Sequence, residues 1–152
     1  MRLTQWTDYA LRVLMYCAAC RGRVSAVTIT EISEAYDISR SHLTKIVFEL
    51  GAKGWLDTSR GRGGGMRLSA KAEKLTLEDI IKATETDFIL VECFDDKTNQ
   101  CALSGQCRLK GILGQAMQSY MLVLRQHKLV DLVPGIPQGV LVQKKPGGLH
   151  RA

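Results

Sequence analysis

Between positions 4 and 20, in TQWTDYALRVLMYCAAC, the residues Tyr9, Ala10, Val13, Leu14 and Cys17 recur at helical steps behind a Thr/Asp-containing turn. That periodicity predicts a first helix. Thr28 opens a second, short helix through Tyr36 that stops near Asp37-Ile38, and Ser39 is a good N-cap for a third. The third carries Leu43, Ile46, Val47 and Leu50 on one face. Trp55 to Thr58 alternates as a strand does, Arg60 to Gly65 (RGRGGG) is a loop, and Met66 to Leu68 returns as a second strand. Leu75 to Thr84 predicts another short helix, with Thr76 and Asp79 spaced as a capping box. Last, Leu109, Ile112, Leu113, Ala116, Tyr120, Val123, Leu124 and His127 mark a long amphipathic helix over about 108–128. Its opposite face holds Gln115, Gln118, Ser119 and Arg125.

Two short helices joined by a tight turn and followed at once by a glycine-rich hairpin make a winged helix-turn-helix. The expected fold is mainly α with a small β-hairpin. Residues 1–84 are expected to form the DNA-binding domain, 85–107 a cysteine-bearing loop, and 108–133 a dimerisation helix. A flexible basic tail follows over 134–152, where all three prolines lie. A helix as long as the last one has little left in its own domain to cover it, although a core helix of the monomer is the plain alternative.

Charge sharpens the reading. The chain carries a formal +6, of which residues 1–70 hold ten Lys/Arg against six Asp/Glu, while 71–133 hold eight against nine. The basic excess therefore falls on the helix-turn-helix, the hairpin and the tail, as a polyanionic partner requires. Arg40, Ser41, His42 and Lys45 stand at the exposed start of the third helix, and Arg60 and Arg62 in the wing. Guanidinium suits phosphates and narrow minor grooves, and glycines allow close backbone approach. A solvated surface hairpin is the bland alternative. The expected partner is double-stranded DNA, a pseudo-palindromic operator read by a homodimer whose heads lie about one turn, ~34 Å, apart. No uninterrupted apolar run reaches membrane length, and the N-terminus lacks a signal-peptide cleavage site, so a reducing cytosol is expected.

Five cysteines remain. Cys17-Ala-Ala-Cys20 has redox spacing but lies inside a helix rather than at a helix start, so it reads as a pair of buried small hydrophobes. Cys93, Cys101 and Cys107 fall within fifteen residues among turn formers such as Asp95, Asp96, Asn99 and Gly105. An odd count in a reducing compartment weakens a disulfide. Structural zinc wants four ligands, and neither a Cys-x2-Cys pair nor a nearby histidine supplies the fourth here. An iron–sulfur cluster accepts three thiolates and a different ligand at its last iron, and a helix starting at Cys107 would aim N–H groups at an anionic cluster. Three free thiols remain the alternative. No catalytic constellation stands out, and an iron–sulfur electron carrier or thiol enzyme would leave the helix-turn-helix without a purpose.

MRLTQWTDYALRVL, SRSHLTKIVFEL, RGRGGGMRL, TETDFILVECF, CRLKG and LVDLV together resemble the NsrR-type nitric-oxide-sensing repressors. These belong to the iron–sulfur winged-helix regulator family that also contains IscR, and the resemblance spans residues 1 to about 133. It implies a repressor that is not an enzyme, a homodimer with one cluster per subunit, usually 4Fe-4S, and nitric oxide as the signal. Cys93, Cys101 and Cys107 match the family's cysteine ligands, with Asp8 at the position of a carboxylate ligand donated by the other subunit. Asp8 could equally cap its helix or pair with Arg12. IscR-like members, which sense cluster supply or redox state through a 2Fe-2S cluster, have a histidine three residues after the last cysteine. Lys110 stands there in this chain. The seven residues between Cys93 and Cys101 exceed the five of several relatives, which leaves the loop's conformation open.

Overall fold

Four hydroxyl side chains start four of the helices. In the computed structural model, which describes residues 2–103 and 105–134, the Thr4 side chain accepts from the Thr7 N–H ahead of α1 (Gln5–Ala19). Thr28 and Glu31 form a full capping box at α2 (Ile29–Tyr36). Ser39 accepts from the His42 N–H at α3 (Arg40–Ala52). Thr76 and Asp79 form a second capping box at α4 (Leu77–Thr84). Each cap satisfies N–H groups that a helix start would otherwise leave open. Between α2 and α3, Asp37 adopts the left-handed conformation at φ 54°. Ser33 donates from Oγ to the Ile38 carbonyl at 2.7 Å, which closes the turn.

The hairpin pairs β1 (Leu56–Ser59) with β2 (Gly65–Leu68) antiparallel, Leu56 opposite Leu68 and Ser59 opposite Gly65. A third segment joins it: Val27 and Met66 exchange backbone hydrogen bonds of 3.0 and 2.7 Å. Gly65 makes that approach possible, because a Cβ there would run into the Val27 carbonyl oxygen. The core collects Val13, Leu14 and Tyr16 from α1, Ile32 from α2, Leu43, Ile46 and Leu50 from α3, Met66 from β2 and Ile80 from α4. The winged helix-turn-helix expected from the sequence is what these elements build.

The last helix departs from expectation. α5 (Arg108–Arg125) ends three residues short of the predicted 128. The chain then turns back to the head: the Leu77 N–H donates to the His127 carbonyl at 2.9 Å, and Leu129 N–H to the Leu75 carbonyl at 3.0 Å. Residues Leu129–Leu132 form a 3-10 turn, and Leu129 is wholly buried in the core. Farther up, Arg125 reaches the buried Glu78 at 2.9 Å and ties α5 to α4, while Lys82, on α4 itself, holds the same carboxylate at 2.7 Å. These contacts, chiefly the Arg125 hydrogen bond, pull the Glu78 carboxyl down to about 2. The expected tail beyond Pro134 lies outside the described residues. Among the described residues no helix is long and apolar enough to cross a membrane.

Candidate nucleic-acid interface and cysteine loop

α3 has two faces. Leu43, Ile46, Val47 and Leu50 are buried, whereas Arg40, Ser41, His42, Thr44, Lys45, Phe48 and Glu49 are exposed. The four residues expected from the sequence thus share the open side and the N-terminal two turns. The His42 ring lies 6.3 Å from Tyr9, so α1 flanks it. Arg60 and Arg62 are exposed at the wing tip, and among the described residues neither is paired with a carboxylate. Gly61 and Gly63 take positive φ of 94° and 75° around Arg62, a backbone that only glycine adopts freely. Arg67, the third wing arginine, is diverted: it donates to the Arg23 carbonyl at 2.7 Å and to that of Val24. It pins the wing to the α1–α2 connection. Thr44, Phe48 and Glu49 are exposed beside the expected residues, and Phe48, 76% exposed, is the apolar one among them.

The cysteine segment is more ordered than its composition suggests. Asp95 accepts from the Lys97 N–H at 3.0 Å and the Thr98 hydroxyl at 2.8 Å; these bonds, Thr98 first, lower its carboxyl below the usual range. Asn99 accepts from the Cys101 N–H at 3.0 Å, and Glu92 accepts from the Gln100 N–H. Short polar side chains folding onto nearby backbone hold the loop without a packed core. Cys93 sits in a 3-10 turn, Glu92–Phe94, and is buried; Cys101 is exposed; Cys107 is the N-cap of α5. None of the three is in a disulfide. Among the described residues no three His, Cys, Asp or Glu side chains converge to hold a single ion.

The donor set still fits an iron–sulfur cluster. Three soft thiols share one segment, and no acidic residue or side-chain cap occupies the first turn of α5, where Arg108 stands. That end of the helix offers N–H groups and positive charge to an anionic group. Asp8, on the first turn of α1, is paired with Arg12, Nη2 to Oδ2 at 2.8 Å and Nε to Oδ1 at 3.1 Å. Both side chains are nearly half exposed and open onto a groove of about 660 Å³ shared with Tyr36 and Ile38. Within one chain, then, Asp8 makes the arginine pair.

Cys17 and Cys20 are buried, and burial pushes the Cys17 thiol up to about 12 and raises that of Cys20. A thiol held protonated is a poor nucleophile. The structural reading of that pair stands.

The iron-dependent transcriptional regulator family Rrf2 matches residues 3–135 of the chain. The transcriptional regulator NsrR of Bacillus subtilis is 46% identical over 134 residues, which cover 88% of this chain and 90% of that protein. The protein aau3 of Rhizobium meliloti is 42% identical over 138 residues, covering 91% and 88%. Among solved structures, T. potens IscR matches with a TM-score of 0.69 at 18% identity, covering 94% of this chain and 93% of its own. Oxidised CymR of Staphylococcus aureus matches at 0.68 with 22% identity, covering 90% and 99%. At those identities the two structures support the fold alone. With a DNA-reading head, an arginine-tipped wing and three closely spaced cysteines on one chain, the protein belongs to the Rrf2 family of iron-dependent transcriptional regulators.

Proposed function

We propose that this protein is a homodimeric, iron–sulfur-dependent repressor whose hold on its operator is released by nitric oxide. The carrying observation is the placement of three cysteines outside any disulfide, Cys93, Cys101 and Cys107, on the segment that runs from the DNA-reading head to the start of α5, in a chain 46% identical to a regulator named NsrR. Arg40, Ser41, His42 and Lys45 would enter the major groove, with Arg60 and Arg62 on the flanking backbone or minor groove. Leu109, Ile112 and Val123 leave more than half of each residue exposed on α5. That apolar stripe supports pairing with a second α5.

Cys93, Cys101 and Cys107 would hold a 4Fe-4S cluster in each subunit, with Asp8 of the other subunit as the remaining ligand. When bound, the cluster supplies an iron that reacts with nitric oxide. The chain's own part is mechanical. Arg12, the residue paired with Asp8, also lies over the Tyr36 ring at 5.8 Å. Tyr36 is the last residue of α2, one turn before α3 begins. Whatever Asp8 binds therefore bears on Arg12, and through it on the angle of the recognition helix. The cytosol is the expected compartment.

Native mass spectrometry of the full chain, purified without oxygen, reads subunit and cluster composition together. A dimer with four irons and four sulfides per subunit is expected, with Asp8→Ala retaining iron but losing the response of DNA binding to nitric oxide. Two irons per subunit would replace this reading with a redox or cluster-supply regulator. A monomer, or a protein holding only zinc, would overturn it.

A further inference from the structure

Nine aromatic residues occur in the chain, and all lie among the described residues. Eight are buried or partly covered; Phe48 alone is exposed. A phenyl ring left in water forgoes a large apolar gain, so its position matters. On α3, at about 100° and 1.5 Å per residue, Ser41, Lys45 and Phe48 point within roughly 60° of one another. They lie opposite the buried Leu43, Ile46, Val47 and Leu50. Phe48 is therefore a continuation of the DNA-reading face, roughly 10 Å along the axis from Ser41. It is on a different element from the apolar stripe of α5.

Its neighbour on that face has no hydrogen left to offer a phosphate. Thr44 donates its hydroxyl to the Arg40 carbonyl at 2.7 Å, which spends its one donor, and its methyl adds an apolar group beside the ring. Neither a phenyl ring nor a methyl group bonds a phosphate. In the major groove the one apolar feature of a base edge is the C5-methyl of thymine. We infer that Phe48 is a specificity-determining residue that reads a thymine methyl in each operator half-site. The inference rests on the DNA-binding reading of α3 and adds sequence preference to it.

The test uses the full chain purified without oxygen. Binding to randomised duplexes followed by sequencing defines the preferred site. That duplex is then remade with each thymine in turn replaced by deoxyuridine, which removes only the methyl. For the wild type, one thymine per half-site should weaken binding about fourfold when demethylated, the worth of one methyl removed from water. Phe48→Ala should bind weakly to both duplexes and no longer distinguish them, while Phe48→Leu keeps part of the discrimination. Its salt dependence should match the wild type, since no charge is lost. Because Phe48 is exposed, the variants should keep the wild-type melting temperature.

A wild type indifferent to every demethylation would overturn the inference, as would a Phe48→Ala protein that still distinguishes the duplexes. Phe48→Ala that changes the oligomer mass but not the base preference would assign the ring to a contact between copies instead. A wild type that selects no sequence at all would sink the DNA-binding reading itself.

Discussion

Leu129 separates two accounts of the C-terminal segment. If residues after α5 only extended a helix between copies, truncating Leu129 would leave the monomer fold intact. In the structure it is wholly buried, packed in the core that α1 and the Ala72–Lys74 turn share. Its N–H is bonded to the Leu75 carbonyl at 3.0 Å. Leu129→Ala removes buried methyl groups and leaves a cavity, a change that costs about 2–5 kcal/mol. With backbone contacts on both sides limiting collapse, about 3 kcal/mol is the expected loss. Against a total stability of roughly 5–15 kcal/mol, it should lower the melting temperature by roughly 10 °C. Urea unfolding followed by the fluorescence of Trp6 and Trp55 reads it directly, since both pack in or against that core. The comparison is Val123→Ala on α5, where 55% of the residue is exposed; it should cost less than about 0.5 kcal/mol in the fold while weakening the dimer. A dilution series keeps the two apart. A loss below about 1 kcal/mol for Leu129→Ala, far under the buried-leucine range, or a loss that vanishes on dilution, would refute the assignment of Leu129 to the head.

Gly65→Ala should break the Val27–Met66 pairing, whose two backbone bonds are 3.0 and 2.7 Å. The cost is about 2 kcal/mol, and a displaced wing should weaken DNA binding; an unchanged melting curve would count against the close approach. Glu78 has its carboxyl depressed to about 2 by Arg125 and Lys82, so its contribution is complete above the ordinary value of 4.5 and lost as pH falls through about 2. Glu78→Gln should be less stable than the wild type at pH 7, with the gap closing below pH 4.5; urea midpoints measured against pH test this, and a gap constant down to pH 2 would contradict it. Arg62→Ala should lower the slope of log affinity against log salt by about one unit. Arg67→Ala should leave that slope alone and instead loosen the tie to the Arg23 and Val24 carbonyls, visible as faster amide exchange in residues 21–27.

By itself the sequence determined what depends on neighbours along the chain. Thr28, Ser39 and Thr76 cap their helices because a hydroxyl reaches an N–H three residues on. Leu43, Ile46, Val47 and Leu50 share a face because a helix repeats every 3.6 residues. Glycines in RGRGGG permit positive φ wherever they stand. The same local logic exposed the three cysteines as a cluster of donors, though not their arrangement. Tertiary structure decided the rest. Nothing in the spacing of α5 says that it must stop at Arg125. The stop follows from Leu75 and Leu77 offering backbone partners some fifty residues earlier, and from Glu78 engaging Arg125. Arg67 looks like any wing arginine until the α1–α2 connection presents its carbonyls. Phe48 reads as one more apolar residue until the packing of α3 leaves it outside the core. Partners distant in sequence meet only once the chain has folded, and periodicity, which compares each residue with those a few places away, carries no record of them.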